Sequence, residues 1–306
     1  LDLASDTVAV VGGSYIPARD SAIQLPDGRA LAYAEWGDPD GRPVLYFHGM
    51  PSSRLFIPDP DAVADEHVRL IAADRPGMGR SDPQPGHVVA DWPADVVELA
   101  NALDLERFGV IGWSAGTPYA FAGAALIPER LTGASATTSG AALRYLIAED
   151  PGLRESLLDD DDRAILEALL QDRDAAERLA ATLAAGFVES LTEHPEQLVE
   201  RESDRGDEGF LDDPAARRSF VGSIRDAVRQ GAEAIAPQYV AQVGPWSFRL
   251  EDITMPVHVW AGANDHTPPE RMRLVADKIP NVVFTVWDDV GHAGIAKYFR
   301  DVLHEL

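Results

Sequence analysis

The pattern most suited to chemistry in this 306-residue chain is Gly112-Trp113-Ser114-Ala115-Gly116. It follows a short apolar run, Phe108-Gly109-Val110-Ile111, and precedes an Ala-rich helical stretch. A serine on a tight strand-to-helix turn takes a strained backbone conformation. Its neighbours two places before and after must be tiny, or they collide. Such a turn lifts the hydroxyl out of the sheet and sets it near a helix N-terminus, where a nucleophile is useful. Gly, Ser and Ala are common, so the five residues alone say little; the strand before and the helix after make them specific.

A serine hydroxyl is a poor nucleophile until a base takes its proton, and the base must be held by a third group. Of the eight histidines, His292 sits in Val290-Gly291-His292-Ala293-Gly294, just after the last strand pattern. A small loop there aims an imidazole back across a sheet. His67, His87, His194 and His304 read as exposed surface residues and His258 as a packed strand residue, while His266 is the rival base. For the third group, Asp265 follows the run Val257–Trp260 through Ala261-Gly262-Ala263-Asn264. The strand after the serine's helix ends in Thr137-Thr138-Ser139-Gly140, which holds no acid. A helix N-cap is the plainer job for Asp265, but three convergent roles favour catalysis.

A developing oxyanion needs N–H donors. Val44–Phe47 runs into His48-Gly49-Met50-Pro51, where Gly49 permits a sharp turn and presents the Met50 amide. The Ala115 amide is the second donor, and His48 reads as a residue that braces the loop. Asp74-Arg75-Pro76-Gly77-Met78-Gly79-Arg80-Ser81 fits neither phosphate-binding fingerprint and reads as a bent loop pinned by Asp74 and Arg80.

The elements that must position these groups follow from hydrophobic patterning. Ala22–Leu25, a Pro26-Asp27-Gly28-Arg29 turn and Ala30–Trp36 predict a hairpin. Buried strands are predicted at Val44–Phe47, Leu70–Ala73, Gly109–Ile111, Leu131–Thr137, Val257–Trp260 and Val282–Trp287. Helices are predicted at 91–104 and 115–127, and residues 1–20 are expected to wrap the surface. The fold class is therefore α/β, a mostly parallel central sheet with helices on both faces. Functional groups in such sheets lie beyond the carboxyl ends of the strands.

The alternation stops near Gly140 and resumes near Met255. The predicted organisation is a core of 1–140 and 250–306 with an inserted, mostly helical cap at 141–249. Residues 149–213 hold 21 acids against 6 bases, including Asp159-Asp160-Asp161-Asp162, and read as solvated helix starts and faces. Ile165, Leu166, Leu169 and Leu170 are expected in the cap's own core.

The formal net charge is −25, which disfavours nucleic acid and anionic membranes as partners and leaves a small-molecule substrate. Solubility explains the acidity, with salt tolerance as the sharper alternative. The absence of cysteine excludes disulfides, thiolate catalysis and Cys-bound zinc. Neither a leader pattern nor an apolar run of roughly 18–20 residues is visible, so the expected location is the cytoplasm.

With these motifs in hand, the chain resembles the α/β-hydrolase fold superfamily over about residues 20–140 and 250–306. His48–Pro51 is similar to its oxyanion loop, Asp74–Ser81 to its D-x-x-G-x-G-x-S segment, and Gly112–Gly116 to its nucleophile elbow. Ser114 at the elbow separates the chain from epoxide hydrolases and haloalkane dehalogenases, which carry Asp there. The implied activity is a serine hydrolase acting on a carboxylic ester or lactone through an acyl-enzyme, with no cofactor or metal. Rival readings are an aminopeptidase of the iminopeptidase kind, a carbon–carbon bond hydrolase, perhydrolase or haloperoxidase-like chemistry, and a ligand receptor that keeps the triad. Substrate contacts are expected from Trp113 inside the elbow and from Tyr145, Tyr239, Trp246 and Phe248 at the two ends of the cap.

Overall fold

The computed structural model describes residues 14–203, 207 and 211–306. The expectation for residues 1–13 lies outside these, and Arg19 and Asp20 already belong to the first strand. Strands β1 (Arg19–Gln24) and β2 (Ala30–Gly37) form the predicted hairpin. Then follow β3 (Arg42–Phe47), helix α1 (Pro60–Asp65), β4 (Val68–Ala73), α2 (Trp92–Ala102), β5 (Phe108–Trp113), α3 (Thr117–Leu126) and β6 (Leu131–Thr137). After the helical segment described below come β7 (Val257–Gly262), a helix over Pro269–Ala276, β8 (Val282–Trp287) and two short C-terminal helices.

Among the described residues, eight strands form one sheet in the order β1-β2-β4-β3-β5-β6-β7-β8. Pairs β1/β2 and β2/β4 are antiparallel, and every other pair is parallel. Side chains alternate across it with period two. Leu45 and Phe47 join a core with Trp92, Val96 and Leu99 of α2 and Tyr119 and Phe121 of α3. Val44 and Tyr46 join a second core with Val63 of α1 and with Phe299 and Val302 near the C-terminus. Burial on both faces explains why these strands are apolar throughout rather than alternating. All the parallel strands point their carboxyl ends at one rim, where the loops after β3, β5, β7 and β8 converge.

Between β6 and β7 the described residues are helical: α4 (Arg144–Glu149), α5 (Arg154–Leu157), α6 (Asp160–Leu169), α7 (Arg173–Glu193), α8 (Glu196–Ser203), α9 (Pro214–Ala227) and α10 (Ala232–Val243). The later helices are α11 (Pro269–Ala276), α12 (Gly294–Lys297) and α13 (Phe299–His304). Ile165 and Leu166 pack with Ala176, Ala180, Ala236 and Val240 in a small core of this segment. Leu170 departs from expectation: it lies just past the end of α6 and is exposed. The aspartates have defined work. Asp59, Asp159, Asp172 and Asp213 cap α1, α6, α7 and α9, each accepting a first-turn N–H; such caps stabilise a helix by about 1 kcal/mol each. Asp162, in the acidic run, is instead buried against Arg144. No helix among the described residues is long and apolar enough to cross a membrane.

Candidate active site

The turn between β5 and α3 has the predicted strain. Ser114 has φ +53°, a left-handed conformation that costs a non-glycine residue about 1–2 kcal/mol. A 3-10 turn over Ser114–Gly116 precedes α3, so the α-helix begins three residues after the serine. A Cβ at Gly112 would meet Gly116 O at 2.6 Å, and one at Gly116 would meet Phe47 O at 2.0 Å. Thr117 Oγ1 donates to Thr137 O at 3.0 Å and Ser139 Oγ to Ser114 O at 2.7 Å, so neighbouring strands hold the turn in place. Gly116→Ala is therefore expected to lose about 1–3 kcal/mol of stability by overpacking. Gly123→Ala, in mid-α3 with Leu131 Cδ1 at 3.8 Å, is expected to gain up to ~1 kcal/mol. Urea titration of the two variants checks the opposite signs.

Ser114, His292 and Asp265, separated by up to 178 positions, meet at the rim. His292 Nε2 lies 2.9 Å from Ser114 Oγ, and its Nδ1 lies 2.9 Å from Asp265 Oδ2. Asp265 Oδ1 accepts the Thr267 N–H at 2.7 Å. Burial pushes the Asp265 carboxyl up. The hydrogen bond and charge of His292, the Thr267 amide and His266 outweigh burial, and the carboxyl lies below its usual range. The rival base, His266, contacts the acid instead: its Nδ1 is 3.1 Å from Asp265 Oδ1, and its ring centre lies 4.7 Å from that of His292, tilted by 40°. Asp265, His266 and His292 present ligand atoms within 4.8 Å of one another, so a metal could be gathered there. It would have to displace hydrogen bonds already made by both His292 nitrogens.

The loop after β3 carries Met50 to the same site, and a Cβ on Gly49 would lie 3.3 Å from Ser114 Cβ. Met50 and Ala115 both line the cavity above Ser114. His48 is fully buried, and its Nδ1 contacts Gly49 O at 2.8 Å. Burial, then the charge of Arg75, hold its pKa well below the usual histidine value, so it is a neutral brace. Arg75 is also fully buried. It donates to the carbonyls of His48 and Gly49 and to Gln238 Oε1 of α10, and it lies over the Tyr119 ring. Among the described residues no carboxylate lies within ion-pair reach of it. The Asp74 loop differs in one partner from its sequence reading. Asp74 does accept the Arg80 N–H at 3.0 Å, but its guanidinium partner is Arg54, at 2.6 Å. The Arg80 side chain reaches Asp20 instead. His87, read as an exposed residue, is buried and stacks on Tyr119.

A cavity of about 510 Å³ opens over Ser114 and His292. Trp113 and Tyr239 line it, as do Phe187, Leu198 and Phe220 from the helical segment. Tyr145, Trp246 and Phe248 do not: Trp246 packs at 5.3 Å from Tyr145 and 5.6 Å from Phe248, and the Tyr145 hydroxyl bonds Glu251 at 2.8 Å. These three aromatics pack on one another and fix the ends of the helical segment onto the core.

A family model described as alpha/beta hydrolase fold matches residues 42–296. The chain belongs to this family. This α/β hydrolase is 42% identical over 96 residues to a non-heme chloroperoxidase of Streptomyces lividans, a match covering 31% of this chain and 35% of the relative. It is 30% identical over 206 residues to a proline iminopeptidase of Xylella fastidiosa, covering 58% of this chain and 62% of the relative. In both cases less than two thirds of the relative is spanned. Among solved structures, an esterase from Exiguobacterium antarcticum superposes with TM-score 0.64 at 21% identity, over 94% of this chain and 98% of that one.

Several groups at the site carry no signal in the sequence. Arg75 lies in the Asp74–Ser81 loop, whose sequence pattern assigns roles only to Asp74 and Arg80. Arg144, Phe187, Leu198, Phe220 and Gln242 reach the cavity from separate helices, and no spacing rule connects them.

Proposed function

We propose that this hydrolase is a serine hydrolase that cleaves a carboxylic ester or lactone through an acyl-enzyme. The observation that carries this reading is the continuous chain Ser114 Oγ–His292 Nε2 and His292 Nδ1–Asp265, with both contacts at 2.9 Å and with Ser114 and His292 lining a cavity. Ser114 Oγ attacks the carbonyl carbon while His292 Nε2 takes its proton. Asp265 keeps the other ring proton on Nδ1 and stabilises the imidazolium. The Met50 and Ala115 amides receive the oxyanion. His292 then protonates the leaving alcohol, and water, activated by the same imidazole, frees the acid. The helices of 141–249 act as a cap whose apolar side chains take the acyl group.

The relatives named as iminopeptidases raise a peptidase alternative, which requires a carboxylate to hold a free amine. Asp159 and Asp162 line the cavity, but Asp159 caps α6 and Asp162 pairs with Arg144, so neither favours that role. A panel of short p-nitrophenyl esters, lactones and aminoacyl anilides tests the reading. Multiple turnover of an ester or lactone, at a kcat/KM at least about a hundredfold above any anilide, is expected from the weaker demand an alcohol leaving group makes. Preference for anilides would convert the assignment to a peptidase. One slow turnover with large thermal stabilisation by ligand would convert it to a receptor.

A further inference from the structure

The chain Ser114–His292–Asp265 engages both ring nitrogens of His292 but leaves open what holds the loop carrying it. The His292 carbonyl is held from the core, by Trp113 Nε1 at 3.2 Å and Thr138 Oγ1 at 3.0 Å. The end of β7 lies so close that a Cβ at Gly262 would meet Gly291 O at 2.3 Å. The N–H groups on either side of His292 are held from the helical segment. Asp207, between α8 and α9, accepts the Gly291 N–H on Oδ1 at 2.9 Å and the Ala293 N–H on Oδ2 at 2.8 Å. The carboxylate is buried.

We propose that Asp207 is a positioning residue for the base: it locks the Val290–Gly291 and His292–Ala293 peptide planes and sets a second anion near the imidazole. This rests on the serine-hydrolase reading and deepens it. One carboxylate spanning donors at positions i−1 and i+1 resists rotation of the loop on both sides. Bonds from N–H to a carboxylate are roughly twice as strong as neutral ones. Burial pushes the Asp207 carboxyl above its usual range; the two amides and His292 draw it down, and Asp265 pushes it up again, without reversing that direction. The charged and titratable groups bearing on the site are thus Asp265 from the loop after β7 and His292 itself, with the His266 ring 4.7 Å from the imidazole. An imidazolium formed during attack then faces Asp265 directly and Asp207 across the backbone, and each anion makes the ring a stronger base.

The test compares wild type, Asp207→Asn and Asp207→Glu with p-nitrophenyl butyrate and with a fluorophosphonate that labels Ser114. Asn offers one acceptor where two N–H groups point, and it carries no charge. It is expected to lower kcat about 10- to 100-fold with KM within about twofold, and to slow labelling in the same proportion. The acid limb of kcat/KM is expected to move to lower pH, because the ring loses an anion. Glu is expected to restore the acid limb and part of kcat. An Asn variant with wild-type kcat and an unmoved acid limb would overturn the proposal. So would a loss confined to melting temperature, with kcat per folded molecule unchanged. Amide hydrogen exchange in the wild type needs no variant. Strong protection of Gly291 and Ala293 supports the clamp; exchange as fast as in an open loop overturns it. A wild type that takes no label at Ser114 would bring down the serine-hydrolase reading and this one together, and so separates the two failures.

Discussion

Ser114→Ala is expected to reduce ester turnover by about a millionfold, the scale seen when a nucleophile is removed from an interdependent serine site. The whole of the attack runs through Oγ, and no neighbouring group replaces it: the nearest side chain that touches it is the imidazole that takes its proton. The fold is expected to survive. Alanine keeps the Cβ, so the cost of φ +53° is unchanged, and the contacts that hold the turn use the backbone of residue 114 rather than its hydroxyl. Ser114→Gly separates the two properties. It removes the same hydroxyl but relieves the left-handed strain, so it is expected to be as inactive as alanine and about 1 kcal/mol more stable. Steady-state assay with p-nitrophenyl esters and urea titration read the two quantities independently. Turnover of the alanine variant within tenfold of wild type would remove Ser114 from the mechanism. An unlabelled alanine variant in the fluorophosphonate experiment completes the argument, because it ties the label to this hydroxyl.

The elbow was legible because strain restricts residue choice. Only a tiny residue fits where a Cβ would come within 2.6 Å of Gly116 O, or within 2.0 Å of Phe47 O, and both restrictions leave glycine in the sequence. Strands such as β3 and β5 were legible because burial on both faces leaves an uninterrupted apolar run. Asp265 and His292 were found by position, each in a loop just past a strand of the parallel sheet. The cavity walls were not. Tyr145, Trp246 and Phe248 are aromatic and stand at the segment's ends, yet aromatic character serves packing as well as binding, and here the three rings pack on one another in the core. Phe187, Leu198 and Phe220 lie on α7, α8 and α9, on faces that look like ordinary amphipathic stripes. Which stripe meets solvent, core or cavity depends on how the helices cross, and crossing is a tertiary property that no local pattern records. Arg75 was obscure for a related reason. Its partners are two carbonyls and a glutamine 163 residues away, and main-chain carbonyls leave no trace in residue type.

Asp265→Asn is expected to lower kcat/KM by about 10⁴-fold, through the position of a proton rather than the loss of a contact. Asp265 Oδ1 accepts the Thr267 N–H at 2.7 Å, and that donor cannot reverse its role. The amide oxygen of an asparagine must therefore occupy the Oδ1 place, which turns its NH₂ toward His292 Nδ1. A nitrogen facing a donor must act as acceptor, so the ring proton moves to Nε2. Nε2 lies 2.9 Å from Ser114 Oγ, and once it carries a proton it cannot take another from the hydroxyl. Geometry is kept and the base is lost. KM should stay within a few-fold of wild type, since Asp265 is not among the residues lining the cavity. Stability should fall as well, with a definite pH dependence. The Asp265 carboxyl lies below its ordinary value in the folded chain, so its ionised form stabilises the fold at neutral pH. That contribution is present above the unfolded pKa and fades as pH falls through the depressed folded value. The stability gap between wild type and Asp265→Asn should therefore be full at pH 7 and narrow in acid. The low-field proton resonance of the His292–Asp265 hydrogen bond should be present in the wild type and absent in the variant. A variant with high kcat/KM and that resonance missing would show that His292 does its work without Asp265 fixing its tautomer.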